Sequence, residues 1–585
     1  MAINYQKPLP PTAAQSVAAR TLQAEGVEPL LAAILSKRGI KRRNEIDYEL
    51  KHLLPPSALK GIDSAVQQLS QAIDNGQKLL VVADYDCDGA TGCAVLIRGL
   101  RMMTATVDFL VPNRFVHGYG LSPELVDLAA NHSRMGKPDW IITVDNGIAS
   151  IDGVDRANEL GIKVIVTDHH LPAHTLPKAH AIVNPNQPGC SFPSKSLAGV
   201  GVALYLLLAL RAYRRTIHQS LANVPLQELL DLVALGTVAD VVALDKNNRI
   251  LVNAGLERIR QGKSTPGIRA LFNNAKRNWR DASSSDLAFS IGPRVNAAGR
   301  LQDISLGIAC LLSDTDEEAE KIAQTLENVN RERRALQTVM QQQARIDLSD
   351  AQAEQSRVLV VFNPDWHEGL IGLVAGQLKE QYQKPCFAFA PSASDPQWLK
   401  GSGRSIAGLH LRDFLDLITK ASPGIPTSHL PRFGGHAMAA GLSLHRDSYE
   451  LFIQLVHDTA DTKVSDDILN VSRQIDLSLE PGEFTFENAV AIKDQPWGSA
   501  FEEPLFHGIF KVKVQKLLQN KHSKLSLSPI GDDETSLNAI FFNHQQPLSS
   551  PSQLAYRLAR DEFRGERKIQ LIIEAVVPPI STIQP

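Results

Sequence analysis

The sequence predicts a multidomain α/β protein that begins with a mostly parallel sheet and ends in a small β-barrel. Short apolar runs alternate with helical stretches in the first part of the chain, which is typical of βαβ units. The last part of the chain instead alternates apolar and polar side chains, as in "IFKVKVQ" and "KLSLSP", and this pattern favours short strands of a barrel. A length of 585 residues fits three or four domains.

Residues 1–45, which have a Pro-rich start, predict a helical extension that precedes the first sheet. The strands expected in that sheet are "KLLVVA" (Lys78–Ala83), "ATVDFLV" (Ala105–Val111), "WIITV" (Trp140–Val144), "KVIVT" (Lys163–Thr167) and "AHAIVN" (Ala179–Asn184). The uncharged apolar run Leu197–Leu210 is too short to span a bilayer, which needs about 20 residues, and it predicts a buried helix.

The charged, amphipathic segment Ser313–Gln352 contains neither Gly nor Pro and predicts one or two long helices that connect two domains. A second α/β segment begins with "VLVVF" (Val358–Phe362), carries "WHEGLIG", "GSGRS" and "GGHAMAAG", and ends near residue 465. We expect Gly434–Gly441 to form a Gly-lined turn before a tightly packed helix.

The composition narrows the function classes. The net charge of −3 excludes a globally basic nucleic-acid binder, although a local basic groove remains compatible with it. The five cysteines are scattered and form no C-x-x-C pair, which argues against a disulfide framework or a structural zinc site. The N-terminus lacks the apolar core of a signal peptide, so we expect a cytoplasmic protein.

A group of carboxylates and imidazoles follows the predicted strands. Because ligand sites in open α/β sheets form at the carboxyl ends of the strands, we expect these side chains to share one rim. A single Asp after a strand is usually a cap or turn residue, but a cluster of this size requires counter-charge, which divalent cations supply. The candidate metal ligands are Asp84, Asp86, Asp88, Asp145, His169, His170 and Asp240.

The type of ligand suggests which metal is bound. A mixed Asp and His set without Cys suits Mn²⁺ or Mg²⁺, and the imidazoles favour Mn²⁺. The number of carboxylates is sufficient for two ions with one bridging ligand. Such a pair of ions activates water and stabilises a leaving oxygen, so phosphoester hydrolysis is the expected chemistry. Considered by itself, Asp168 is expected to orient a neighbouring His.

Four motifs in this order, "DYDCDG", "VDNG", "TDHH" and "GTVAD", resemble those of the DHH phosphoesterase superfamily. The resemblance extends from about residue 40 to 580. Five further motifs, "VPNRFVHGYGLSPE", "SLAGVGVA", "GPRVNAAGRL", "GSGRS" and "FGGHAMAAG", are similar to those of its single-stranded-DNA-specific 5′→3′ exonucleases. The resemblance implies that Asp86, Asp88, Asp145, His169 and Asp240 are metal ligands and that Asp145 bridges two ions. Asp84 would be a ligand or a partner of one, and His170 would contact either metal or the scissile phosphate.

Several residues are expected to bind the substrate by the same resemblance. Arg114 would bind the 5′ phosphate, and Ser402 and Arg404 in "GSGRS" have the hydroxyl and the bidentate guanidinium to do likewise. His436 would reach a phosphate across the groove, and Arg294 is a stronger candidate for a nucleotide contact than Arg300. Tyr119 would either stack on a terminal base or belong to the core.

The resemblance also implies an architecture. We expect an N-terminal helical extension (1–45), a DHH domain (46–310), a long helical connector (311–352), a smaller DHH-associated substrate-binding domain (353–465) and an OB-fold barrel (466–585), with a narrow groove between the two α/β domains. Lysines in the barrel form either a DNA track or an ordinary solvated face. They are Lys511, Lys513, Lys516, Lys521 and Lys524.

The expected function is hydrolysis of single-stranded DNA from its 5′ end, which would release 5′-mononucleotides in DNA repair and recombination. The resemblance implies a monomer whose partners are a single-strand-binding protein and a RecQ-type helicase. Two alternatives remain: a phosphatase or small-oligonucleotide hydrolase of the same superfamily, and a non-catalytic DNA-binding replisome scaffold. The first would be a much shorter chain without a barrel, and the second should have lost carboxylates that are present here.

Overall fold

The computed structural model describes residues 5–113, 120–217, 223–348, 350–420, 431–435, 437–469, 472–519, 521–561 and 567–578. Within these residues the predicted fold class is confirmed, because a parallel sheet, a second α/β domain, a long connecting helix and a closed barrel are all present along the chain. None of the described helices is long and apolar enough to cross a membrane.

The first sheet has five strands, and every neighbouring pair is parallel. Its three central strands are almost wholly buried, as expected for a sheet that is covered on both faces. All five predicted strands are present. In spatial order they are Thr106–Leu110, Lys78–Ala83, Trp140–Val144, Lys163–Thr167 and Ala181–Val183.

Helices surround this sheet and fill the rest of the first domain. The predicted buried helix is present as Gly199–Ile217, and its first half is buried on every side. The other helices up to the connector are Ile62–Asp74, Cys87–Met102, Pro123–Ala130, Ile151–Glu159, Leu230–Ala239, Lys246–Arg260, Pro266–Asn274, Ser284–Asp286, the π-helical turn Leu287–Ile291, Gly292–Leu301 and Ser305–Leu312.

The connector is the helix Asp316–Asp347, followed by a short helix, Asp350–Gln355. Ala319 and Ala323, near its start, belong to the hydrophobic core of the first domain. Met340 and Ala344, near its end, pack in a core of the second domain. One continuous helix is therefore anchored in both domains.

The second domain contains a five-stranded mixed sheet. The prediction of a Gly-lined turn and a packed helix at Gly434–Gly441 is wrong. Arg432–Gly435 and Ala439–His445 are antiparallel strands, and in the second of these Ala440, Leu442 and Leu444 are buried. The other strands are Leu359–Phe362, Cys386–Pro391 and Trp398–Arg404, and the helices are Ile371–Tyr382, Leu411–Lys420, Tyr449–Lys463 and Asp466–Leu469.

The C-terminal strands close into a five-stranded barrel, because the first pairs both with the second and with the fourth. Buried side chains of the barrel belong to the same hydrophobic core as the first domain, so the barrel is packed against that domain. Just before the barrel, the ring of Phe501 lies against the guanidinium of Arg249. The barrel strands are Phe506–Leu518, His522–Pro529, Leu537–Phe541, Ser552–Asp561 and Lys568–Val576. They are preceded by the strand Leu477–Ser478 and the helix Phe486–Lys493.

The N-terminal extension carries the expected helices, Ala13–Ala24 and Pro29–Lys37. It also makes contacts that its sequence did not predict. Its strand Tyr5–Gln6 pairs in parallel with Arg473–Gln474, and Arg38 forms a bidentate ion pair with Asp476. The extension is thus joined to the segment that leads into the barrel.

Candidate metal centre and substrate groove

The candidate metal ligands lie at the carboxyl rim of the first sheet. Asp84 directly follows the strand Lys78–Ala83, and Asp145 directly follows Trp140–Val144. Because these strands are parallel neighbours, both carboxylates emerge at the same edge. Both residues are buried.

The ligand atoms form three overlapping groups, and within each group they lie within 4.8 Å of one another. Asp145 belongs to two of the groups, as a bridging ligand would. Asp86 and Asp88 belong to different groups. The groups are Asp84–Asp86–Asp145, Asp88–His169–Asp240 and Asp145–His169–His170.

Nε2 of His169 is the centre of the cluster. It lies 3.0 Å from Oδ1 of Asp145, 3.6 Å from Oδ2 of Asp240 and 3.9 Å from Oδ2 of Asp88. Nε2 of His169 and Oδ2 of Asp240 are buried and make no hydrogen bond within the described residues. Buried polar atoms are normally satisfied, so this pair indicates that a further group binds here.

The backbone of Asp145 is held in the left-handed region, with φ of 61°. Few residues other than glycine adopt this conformation, although Asp tolerates it better than most. Such outliers cluster at functional sites, where the surrounding structure imposes them. Here the amide of Asp145 donates to the carbonyl of Thr167 at 3.1 Å, and this bond fixes the carboxylate beside the next strand.

Asp86 and Asp88 are positioned by backbone amides at helix N-termini. Asp86 caps the helix Cys87–Met102, and its Oδ1 accepts hydrogen bonds from the amides of Asp88 and Gly89 at 2.9 and 3.0 Å. A β-carbon at Gly89 would lie 2.5 Å from the carbonyl oxygen of Asp84, so this tight turn requires glycine. Asp88 accepts from the amides of Gly199 and Val200 at 2.6 and 2.9 Å.

The protein by itself does not balance the negative charge of this rim. Burial and the charge of Asp240 raise the pKa of Asp88 to about 7. Burial and the charge of Asp86 raise the pKa of Asp240 to about 7. Burial and the neighbouring carboxylates also raise the pKa of Asp145 well above its usual range. These are the shifts expected of carboxylates that are gathered to bind a cation.

Asp168 orients one of the histidines. Its Oδ1 lies 2.7 Å from Nδ1 of His170, and it also accepts from the amide of His169 at 2.7 Å. Although burial opposes ionisation, the hydrogen bond and charge of His170 lower the pKa of Asp168. In return, Asp168 raises the pKa of His170 to about 9 against the effect of burial. Burial lowers the pKa of His169, which favours the neutral imidazole that a metal requires.

The donor set fits Mn²⁺ or Mg²⁺. It consists of carboxylate oxygens and imidazole nitrogens that converge at a buried rim, and hard divalent cations prefer such ligands. The cysteine closest in sequence, Cys87, has a pKa raised well above its usual value by burial. It therefore remains a thiol rather than a thiolate ligand.

A groove of about 1400 Å³ opens beside these residues. Tyr85, Asp168 and His170 line it from the first domain, and Arg412 and Phe433 line it from the second. The groove therefore joins the candidate metal centre to the second α/β domain.

A candidate anion site lies on the second domain. The Oγ of Ser402 accepts from Nη1 of Arg404 at 3.0 Å. A β-carbon at Gly372 would lie 3.0 Å from that Oγ and 2.9 Å from Nη2 of Arg404. Gly372 belongs to the first turn of the helix Ile371–Tyr382, which has no side-chain cap. Free amides at a helix N-terminus bind anions, so the N-terminus of this helix contributes to the candidate anion site. This contribution was not predicted from the sequence. The motif "WHEGLIG", which ends in the first turn of this helix, was the available signal.

The other predicted substrate residues are placed as follows. Arg294 is buried, and its Nε forms an ion pair with Oε2 of Glu327 in the connecting helix at 2.7 Å. Arg300 donates from Nη1 to the carbonyl of Gly369 at 3.4 Å. Arg114, Tyr119 and His436 lie outside the described residues.

The five barrel lysines are all exposed. Lys511 forms an ion pair with Asp533 at 2.7 Å, and Lys513 donates to the backbone carbonyls of Asp533 and Thr535. Lys516 and Lys524 lie opposite one another on neighbouring strands. Like charges in that position are unfavourable unless an anion or solvent separates them.

Three family models match the chain, in the order in which the domains occur. They are the N-terminal domain of the DHH family at residues 78–237, the DHHA1 domain at 355–462 and the RecJ OB domain at 475–575. The single-stranded-DNA-specific exonuclease RecJ of Escherichia coli K12 is 45% identical over 566 residues, which cover 94% of this chain and 96% of that protein. The chain belongs to the RecJ family.

Other members of the RecJ family support this assignment. RecJ of Bacillus subtilis 168 is 31% identical over 94% of this chain and 68% of its own length. The crystal structure of RecJ from Thermus thermophilus in complex with Mn²⁺ superimposes with a TM-score of 0.79 at 28% identity, over 99% of this chain and 80% of that one. Its complex with Mg²⁺ gives a TM-score of 0.74 at 27% identity, over 99% and 79% of the two chains. The two metals predicted from the donor set are those named for these structures.

Proposed function

We propose that this protein is a metal-dependent exonuclease that digests single-stranded DNA from its 5′ end and releases 5′-mononucleotides. The observation that carries the proposal is the cluster around His169, in which carboxylates from separate strands and helices lie within 4 Å of one imidazole nitrogen. Its RecJ relatives are named for single-stranded-DNA-specific exonuclease activity. This combination favours hydrolysis over simple binding, because a scaffold has no need of so costly a cluster.

The ligand groups divide between two Mn²⁺ or Mg²⁺ ions. Asp84 and Asp86 would hold one ion, Asp88 and Asp240 would hold the other, and Asp145 would be shared between them. When bound, the ions supply Lewis acidity that activates the attacking water and stabilises the leaving oxygen. His169 contributes its Nε2 at the centre of the cluster.

His170 is assigned to the phosphate rather than to a metal. Its hydrogen bond to Asp168 fixes the ring, and in the metal-free protein Asp168 raises the pKa of the imidazole against the effect of burial. A cationic donor of this kind stabilises a phosphate on which negative charge develops. Asp168 acts through His170, because it fixes the orientation of the ring.

Substrate polarity follows from the separation of two sites. Ser402, Arg404 and the N-terminus of the helix Ile371–Tyr382 bind the terminal 5′ phosphate, and Arg114 and His436 assist them. The metal centre on the facing domain then meets the next phosphodiester bond. Because the anion site is built for a chain end, internal phosphates bind less well, and digestion proceeds from the 5′ terminus.

Strand selectivity follows from the groove. It runs between two domains that one connecting helix holds together, so it admits a single backbone more readily than a duplex. Binding rests on phosphate contacts and base stacking, which makes it tolerant of sequence and sensitive to salt. The barrel lysines, with Lys516 opposite Lys524, provide further cationic contacts to the DNA backbone.

The chain divides into the five segments predicted from its sequence, which are residues 1–45, 46–310, 311–352, 353–465 and 466–585. We also assign the protein to the cytoplasm, to DNA repair and recombination, and to a monomeric state. The partners are a single-strand-binding protein and a RecQ-type helicase, since an enzyme for single strands requires that duplex DNA first be opened and protected.

The test compares 5′-phosphorylated single-stranded DNA, the same strand in a blunt duplex, and a dinucleotide, each with Mn²⁺. We expect rapid release of mononucleotides from the single strand and slow release from the other two. Asp145→Ala should abolish release. Asp127→Ala should not, because Asp127 is an exposed carboxylate paired with Arg156 on the outer surface.

Two results would contradict the proposal. Faster hydrolysis of the dinucleotide than of the long strand would favour a small-oligonucleotide hydrolase. Undiminished digestion by Asp145→Ala protein would show that the rim is not the catalytic centre.

A further inference from the structure

Phe289 is the most exposed aromatic side chain among the described large hydrophobic residues, with 74% of its surface accessible. Its neighbours Leu287 and Ile291 are fully buried, so the segment is anchored in the core while this one ring faces solvent. A large apolar side chain so exposed is a candidate contact surface rather than part of the packing.

The backbone around Phe289 is also unusual. Leu287–Ile291 is a π-helical turn inserted between the helices Ser284–Asp286 and Gly292–Leu301. Such turns are rare, and they occur frequently at functional sites. The extra residue changes the direction in which the side chains of the turn point, and Phe289 lies at its middle.

The turn lies beside the candidate metal centre. A β-carbon at Gly292 would lie 3.2 Å from Cβ of Ala239, the residue before Asp240. Val241, just after Asp240, is 69% exposed and has a φ of 64°. A β-branched residue in this region is a strong outlier. A second exposed apolar side chain thus follows directly after a candidate ligand.

The contacts of the helix Gly292–Leu301 relate Phe289 to the candidate metal centre and to the candidate anion site. The middle of this helix contacts the segment that carries Asp86 and Asp88, since Oδ1 of Asn296 accepts a hydrogen bond from the amide of Cys87 at 2.8 Å. Its far end contacts Gly369 through Arg300, close in sequence to the helix of the candidate 5′-phosphate site. Ten residues of helix span about 15 Å. Phe289 therefore precedes the end of this helix that meets the Asp240 segment, whereas the other end of the helix contacts Gly369.

We propose that Phe289 is a stacking platform for an unpaired base on the 3′ side of the scissile bond. The inference rests on the proposed function, because it takes the 5′ phosphate to lie at Ser402 and Arg404. A strand bound there and crossing the metal centre continues toward Phe289. Stacking on an aromatic ring requires a base freed from its partner, so this contact adds selectivity for single strands without sequence preference.

The test uses short 5′-phosphorylated oligothymidylates that carry one abasic residue at successive positions. Binding is measured by fluorescence anisotropy with Mn²⁺ in an Asp145→Asn background, and the rate of nucleotide release is measured in the active protein. The variants are Phe289→Ala, Phe289→Leu and Phe289→Tyr. Ile346→Ala is the matched control, because Ile346 is an 81% exposed apolar residue of the connecting helix.

We expect Phe289→Ala to weaken binding of the intact oligonucleotide by about 5- to 150-fold. In the parent protein an abasic residue at one position should weaken binding by a similar factor, and Phe289→Ala should lose this sensitivity at that position alone. Phe289→Tyr should retain it, Phe289→Leu should lose most of it, and Ile346→Ala should behave as the parent.

An abasic profile that Phe289→Ala leaves unchanged, in a protein that does release nucleotides, overturns the stacking role alone. Absence of Mn²⁺-dependent release from the active protein overturns the proposed function instead. The anisotropy profile remains informative about Phe289 in that case, because it is measured without hydrolysis.

Discussion

In the absence of metal, the carboxylates at the rim of the first sheet should hold protons in place of the cations. With pKa values of about 7, Asp88 and Asp240 each carry a proton about half of the time at neutral pH. Burial and the neighbouring carboxylates also raise the pKa of Asp145, so it too favours the protonated form more than an ordinary Asp does. Because metal ligands must be deprotonated, binding of Mn²⁺ at pH 7 should displace about one proton from Asp88 and Asp240 together.

Calorimetric titration of chelator-treated protein with MnCl₂ measures this number. Two buffers of different ionisation enthalpy give different apparent heats, and their difference gives the count of protons released. At about pH 8.5 the release should be smaller, because Asp88 and Asp240 are then ionised. Asp240→Asn should lower the release at pH 7 by more than about half a proton, because it also removes the charge that raises the pKa of Asp88. Release of less than about half a proton from the unaltered protein would refute the reasoning.

The same shifts predict how stability depends on pH. The folded pKa of Asp88 and Asp240 lies above the ordinary value of 3.8, so between these values the folded state binds more protons than the unfolded state. The metal-free protein therefore loses stability as pH rises from about 4 to about 7. Each shift corresponds to about 4 kcal/mol, and the two together amount to less than twice that, because they share one repulsion.

Thermal unfolding of chelator-treated protein should give a lower midpoint at about pH 8 than at about pH 5.5. Mn²⁺ should raise the midpoint more at the higher pH, where it competes with fewer protons. A metal-free protein that is more stable at the higher pH would contradict the assignment of these carboxylates to an uncompensated cluster.

Three further substitutions test the surroundings of the site. Asp168→Asn should lower the pKa of His170 toward its ordinary value and slow nucleotide release about 10- to 100-fold; an unchanged histidine titration by NMR would contradict this. Arg404→Lys should reduce the preference for a 5′ phosphate over a 5′ hydroxyl, measured as the ratio of kcat/KM values, because Lys cannot form the bidentate contact; an unaltered ratio would place the phosphate elsewhere. Glu327→Gln should lower the free energy of unfolding by about 3 kcal/mol, because it leaves the buried charge of Arg294 without its partner; denaturant unfolding at the parent midpoint would show that this ion pair is not stabilising.

Much of the fold could be predicted from local patterns. Buried strands such as Lys78–Ala83 and Trp140–Val144 are short apolar runs with turn residues at their ends, and the connector is a long charged stretch without Gly or Pro. The wrong prediction at Gly434–Gly441 also came from reading a local pattern. A run of small residues fits a packed helix as well as a strand, and only its partner strand, Trp398–Arg404, favours the extended conformation.

The sequence by itself predicted which side chains gather at the candidate centre. In a parallel sheet the residue after each strand must emerge at the same rim, so the order of Asp84 and Asp145 along the chain was enough to bring their side chains together. Only the tertiary structure decided the contacts between distant segments. These include the helix N-terminus at Gly372 beside Arg404, the pairing of Arg294 with Glu327, and the exposure of Phe289 at a π-helical turn. The physical reason is that strand periodicity acts between adjacent residues, whereas burial and charge pairing depend on which surfaces meet when the domains pack.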